Sequence, residues 1–183
     1  MLRPTPTCSV ALALACVLAG CSPALDWREL RPAGTRLQAL MPCKPETAVR
    51  RVPLAGADVE MHLSGCDAGG ATFVIGWAAV PAPRLGMALG DWQDATLARA
   101  GIAPGPDAPA GDAFVPPGAI ALPQSLRLRV QGRAPDGNAL PLQAAWFASG
   151  GSAGEAQVLF AAVYREPSAR DAATTFFDSL RLQ

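Results

Sequence analysis

Ten apolar residues, Val10 to Ala19, run without a break and stop at Gly20-Cys21. A short polar start carrying Arg3 precedes them. A basic start, a short apolar core and small residues at its end form the pattern of a secretory signal. Ten residues fall well short of the roughly 20 that a membrane-spanning helix needs. The segment therefore predicts export and cleavage, and leaves folding to the residues after it. Removing residues 1–20 from the 183 leaves 163, which suits one domain and a sizeable core without metals or many disulfides.

The end of the run, Leu18-Ala19-Gly20-Cys21, resembles the lipobox of bacterial lipoproteins. That resemblance implies cleavage before Cys21 and lipid on its thiol, with acyl groups such as palmitate. The alternative is an ordinary signal peptide in which Cys21 is incidental. Ser22 follows the cysteine, not the Asp associated with inner-membrane retention. The resemblance thus implies a lipid anchor in the outer membrane with the domain facing the periplasm. An extended residue spans at most about 3.5 Å, so residues 21–25 form a tether that keeps the folded part close to the lipid. The expected organisation is a signal at 1–20, this tether, and a single domain at 26–183.

Loss of Arg3 leaves fourteen basic against fifteen acidic residues, a formal charge of −1. No basic excess exists to neutralise phosphates, which argues against nucleic-acid binding. Cys8 and Cys16 leave with the signal, and Cys21 takes the lipid. Cys43 and Cys66 then remain in an oxidising compartment, where disulfides persist. A zinc site would want about four ligands, and only His62 stands nearby. A redox pair usually reads Cys-x-x-Cys. A structural disulfide is the expectation.

Along the chain, short strands are expected at Trp27–Leu30 and Leu37–Met41. Thr47–Leu54 follows, then a turn at Ala55–Asp58. Val59, Met61 and Leu63 alternate with Glu60, His62 and Ser64, a strand with one wet face. Gly65 and Cys66 are expected to end it, with a turn at Asp67–Gly70. Thr72–Val80 is more continuously apolar and reads as a central strand. Leu85, Ala88, Leu89, Trp92, Ala95 and Thr96 recur at helical spacing, so a helix is expected from Leu85 to about Ala100. Gly101 fits its C-terminal stop. Ala103–Gly118 is a long Pro/Gly-rich loop with Phe114-Val115 expected to dock on the core.

Strands are expected at Ser125–Arg133, Leu140–Ala148 and Val158–Tyr164, the first two joined through Pro135-Asp136-Gly137-Asn138. A flexible turn falls at Ser149–Gly154. Pro167-Ser168 opens a last helix, with Ser168 and Asp171 spaced as a capping box. Its expected buried stripe is Ala169, Ala172, Ala173, Phe176 and Leu180. The fold class is α+β: a mainly antiparallel sheet flanked by two helices.

The ending Phe176-Phe177-Asp178-Ser179-Leu180-Arg181-Leu182 resembles the Phe-x-Asp-Ser-Phe-x-Leu endings of bacterial lipoproteins and secreted proteins. Leu40-Met41-Pro42-Cys43-Lys44-Pro45 is similar to their strand-Pro-small-basic-Pro segment. Those proteins are similar to the PsbP-like α/β/α sandwich superfamily. The resemblance implies that fold over most of residues 35–183, and a binding or assembly role without catalysis. Cys43 stands where those proteins commonly have glycine, which a Cys43–Cys66 bridge explains.

No motif for a metal, phosphate or dinucleotide cofactor occurs, and neither a cofactor nor a metal is expected. His62, the only histidine, could be drafted with Ser64 and Asp58 as a hydrolase triad, but no strained Gly-x-Ser-x-Gly turn accompanies them. A surface histidine is the plainer reading. Asp91 and Asp94 could sit together on the helix, again as a solvated face. Arg127, Arg129 and Arg133 line one side of a strand, with Arg50 and Arg51 on a candidate neighbour. They could grip a carboxylate, a lipid head group or an acidic partner face; ordinary surface ion pairs are the alternative. Trp27, Trp77, Trp92 and Trp146 are expected in the core, with Trp27 close enough to the lipid to touch it.

Three functions follow: an envelope protein-binding or assembly module, a small-ligand or lipid carrier with a pocket under the Ala103–Gly118 loop, and, remotely, a hydrolase using His62.

Overall fold

The computed structural model describes residues 25–103, 105, 108–151 and 154–183. Cys21, the signal and the tether before Leu25 lie outside the described residues, as does part of the expected turn at 149–154.

Two short strands, Arg28–Leu30 (β1) and Leu37–Met41 (β2), pair antiparallel near the start. A meander of three longer strands follows: Glu46–Leu54 (β3), Ala57–Ala68 (β4) and Ala71–Pro81 (β5). Each hairpin closes through two residues, because Leu54 pairs with Ala57 and Ala68 with Ala71. Ala55, Gly56, Gly69 and Gly70 all have positive φ, the conformation that two-residue hairpin turns demand. The turns are therefore tighter than the expected Ala55–Asp58 and Asp67–Gly70. Gly65 and Cys66 do not end β4; the ladder runs through them to Ala68.

A helix, Leu85–Arg99 (α1), then leads through the long loop to the two-residue strand Asp112–Ala113 (β6). A second meander comprises Leu126–Arg133 (β7), Ala139–Gly150 (β8) and Glu155–Tyr164 (β9). The chain closes with a helix at Ala172–Asp178 (α2) and the strand Arg181–Leu182 (β10). Because β9 pairs antiparallel with β5, the meanders join into a seven-stranded sheet of order β3-β4-β5-β9-β8-β7-β6. β10 returns to pair with β2, giving a small sheet of order β1-β2-β10. The fold is α+β, a mainly antiparallel sheet with two helices.

Both faces of the large sheet are covered. On one, α1 brings Leu85, Leu89 and Trp92 against Val80, Val130, Trp146 and Phe160. On the other, α2 and the small sheet bring Leu37, Met41, Phe176 and Phe177 against Phe73, Ile75, Phe147 and Leu159. This explains the long buried runs of β8 and β9, which lie at the centre. Their small residues, such as Ala144, Ala145, Ala161 and Ala162, are 0% exposed and leave room for the aromatic rings on either side.

Several details depart from expectation. Leu97, not Ala95, completes the buried stripe of α1. Ala169 is exposed and precedes α2. Ser168 and Asp171 form no capping box; the Ser168 hydroxyl donates to Gly69 O instead, tying that segment to the β4–β5 turn. Phe114 docks edge-on against Phe147 and Phe177, but Val115 is exposed. Trp92 and Trp146 are core residues, whereas Trp27 and Trp77 are half-buried. Trp27 packs its ring on Phe73.

Candidate functional site

Along β7, Leu128 and Val130 turn into the α1-side core, so Arg127, Arg129, Gln131 and Arg133 take the opposite face. That face is the one α2 covers, and α2 reaches only as far as Arg127. Arg127 lies under Phe177, its guanidinium carbon 3.9 Å from the ring centroid, a cation–π contact that holds the side chain in place. Arg129 is exposed.

The two guanidiniums converge. Arg127 Nη2 and Arg129 Nη2 donate to the same oxygen, Gln143 Oε1, at 3.2 and 3.0 Å. Gln143 pairs with Arg129 across the β7–β8 hairpin and is 5% exposed. Asp112 of β6 pairs with Arg127 on the other side. With Ala113, Phe114 and Leu128 these residues line a cleft of about 390 Å³. Among the described residues, no carboxylate oxygen lies within 4.0 Å of either guanidinium. Burial holds the Arg127 guanidinium below its ordinary range; Asp178 pulls it back up and Arg129 pushes it down again.

The other expected arginines do not join them. Arg133 sits four residues beyond Arg129, about 13 Å along the strand, and donates to Gly137 O in the hairpin turn. Arg50 and Arg51 are on β3, at the opposite edge of the sheet, where Arg51 faces Glu60 at 3.7 Å. β7 lies between β8 and β6, so the strand carrying Arg50 and Arg51 is not its neighbour.

A second cleft, of about 360 Å³, lies on the far edge. Cys43 and Cys66 line it and are joined as a disulfide, with Cα atoms 6.0 Å apart. Lys44, Glu46, Asp67 and Thr72 complete its wall. The bridge fastens the segment just after β2 to the C-terminal part of β4, and so the small sheet to the large one.

His62 stacks flat on Trp77, its partner across β4 and β5, with ring centroids 4.2 Å apart and planes 5° from parallel. Asp58, His62 and Ser64 share a face of β4, but four residues of strand separate Asp58 from His62 by about 13 Å. No hydrogen bond joins the three among the described residues, and Ser64 is buried. The drafted triad is not assembled. Asp91 and Asp94 do not act as a pair either: Asp91 Oδ2 accepts from Ala55 N at 2.8 Å, closing the β3–β4 turn onto α1. Among the described residues, no group of three or more His, Cys, Asp or Glu is arranged to hold a metal. No described helix is long and apolar enough to cross a membrane.

Gln143 and Phe177, the residues that shape the arginine pair, were not singled out in sequence. Gln143 carried a signal: it is the one polar residue in the run Leu140–Ala148, and the Pro135–Asn138 turn sets it opposite Arg129. Asp112, in a Pro/Gly-rich loop, carried none.

Comparison of the chain with family models, with curated proteins and with solved structures finds no match.

Proposed function

We propose that this protein is a lipid-anchored binding module of the bacterial envelope, without catalysis of its own, which engages a protein partner through the Arg127–Arg129 cleft. The observation that carries the reading is the convergence of two guanidiniums on one neutral oxygen in the lining of a cleft. Surface arginines ordinarily spread apart or pair with carboxylates. The anchor rests on the lipobox resemblance of Leu18-Ala19-Gly20-Cys21, which implies lipid on Cys21, and its place on the periplasmic side of the outer membrane rests on Ser22 after the cysteine. The PsbP-like sandwich is part of the same proposal. It is supported by the order of elements and by helical layers on both sides of one sheet, and it favours assembly over chemistry only by analogy of fold.

In-cell cross-linking of the native lipoprotein, followed by mass spectrometry, tests the role. One dominant envelope protein should be captured by wild type and lost when Arg127 and Arg129 are both changed to Glu. Cys21→Ser should release the protein from membranes; retention there would sink the anchor. A second reading is favoured by the loop residues Asp112, Ala113 and Phe114 in the cleft wall: a carrier for a small acidic ligand or lipid. It predicts a bound molecule in native mass spectra of the purified protein.

A further inference from the structure

We infer that the Arg127–Arg129 pair is a carboxylate site, and that the partner docks by placing an Asp, Glu or C-terminal carboxylate where Gln143 Oε1 now stands. The inference rests on the binding role proposed above and names the group that role requires. A guanidinium carries five donors in a planar fork that matches the two oxygens of a carboxylate. Here two such forks aim at one point, and among the described residues Gln143 Oε1 is the only side-chain acceptor that either meets. Two like charges held together around a neutral amide repel each other; an anion between them would turn that repulsion into attraction.

The surroundings select the kind of anion. Phe177 fixes Arg127 before any ligand arrives, which lowers the entropy lost on binding. Phe114 gives the cleft one apolar wall, suited to the carbon chain behind a carboxylate. Asp112 also lines the cleft and Asp178 acts on the Arg127 charge; both would oppose a phosphate dianion more than a carboxylate monoanion. No lysine and no helix N-terminus lines the cleft to offset a second charge. The volume, about 390 Å³, lies within the range of small-ligand sites and admits one side chain with its flanking backbone.

Gln143→Glu tests this, because it plants a tethered carboxylate of the same size between the guanidiniums. The variant should melt at a higher temperature than wild type. Glutarate is the probe: it should bind wild type by NMR titration, and lose at least about tenfold in affinity in Gln143→Glu and in Arg129→Gln, the loss expected of a charge-assisted hydrogen bond. A lower melting temperature in Gln143→Glu would overturn the inference. So would glutarate binding that both variants leave unchanged, or inorganic phosphate binding more tightly than glutarate. The role and the site fail separately. If a partner is captured through Arg127 and Arg129 but Gln143→Glu captures it as well as wild type, the carboxylate site is wrong and the binding role stands. If glutarate behaves as expected but no partner is captured, the site stands and the protein-binding role falls.

Discussion

Ala55 has φ 52 and is 2% exposed, an unfavourable conformation for a residue with a Cβ. Two side chains from the α1 region hold it. Asp91 accepts its N–H, and Arg84 Nη1 donates to its carbonyl at 3.1 Å. Asp91→Ala would leave that amide without a partner and should cost about 1–2 kcal/mol, read as a lower urea midpoint at unchanged slope. Asp91→Asn keeps an acceptor and should cost less. Tyr164, the only tyrosine, gives a pH signal. Burial raises its pKa above the ordinary value, and Arg99 opposes the rise only in part. The stability this contributes is fully present below the unfolded value of about 10 and is lost as pH rises through the folded pKa. Native tyrosinate absorbance should therefore appear at higher pH than in the urea-unfolded chain, and Tyr164→Phe should flatten the fall in stability above pH ~10. Coincident titrations in the two states would contradict the burial argument.

The central strands β8 and β9 are packed by contrast of size. Ala161 is 0% exposed, in the cluster that also holds Phe73, Phe147 and Phe176. Ala161→Leu should destabilise by about 1–3 kcal/mol through overpacking, while Ala95→Leu on the exposed side of α1 should stay within about 0.5 kcal/mol. Chemical denaturation of both variants compares them directly. Elements of this kind were legible in sequence, because period-two alternation and helical spacing report burial by themselves. Their ends were less so. Gly65 and Cys66 read as terminators, but a strand paired on both sides tolerates them. Ser168 read as a cap, but Gly69 O competes for its hydroxyl. β10 was invisible, since two residues have no period. The arginine pair was half legible: β7 alternation put Arg127 and Arg129 on one face, but their convergence depends on Gln143 and Phe177, which arrive from β8 and α2. The first meander's place at the far edge, which removes Arg50 and Arg51 from the site, depends on β9 pairing with β5 and on no local signal.

The small sheet gathers both ends of the domain into one layer. β1 and β2 come from its start, α2 and β10 from its end. Ser179 links them locally, its Oγ accepting from Leu40 N at 2.8 Å and donating to Phe176 O at 2.7 Å. Gln38, 2% exposed, accepts from Arg181 Nε and Gln183 Nε2, both at 2.7 Å. The disulfide adds a covalent cross-link between the segment after β2 and the large sheet, closing a separation of 23 residues. Loop closure of that length is worth about 3 kcal/mol. Replacing Cys43 and Cys66 together by Ser should therefore lower Tm by roughly 6–12 °C for a chain of this size. Differential scanning calorimetry would read the shift. The arginine cleft lies at the opposite edge of the sheet, across β5, β9 and β8 from the bridge. Glutarate affinity at 25 °C should then be unchanged in the double-serine protein, because the buried cores on both sides of β8 and β9, not the bridge, hold β7 and α2 in register. A loss of glutarate affinity that tracks the loss of the bridge would mean the opposite: that the small sheet, once released, lets α2 shift, and that Phe177 no longer fixes Arg127.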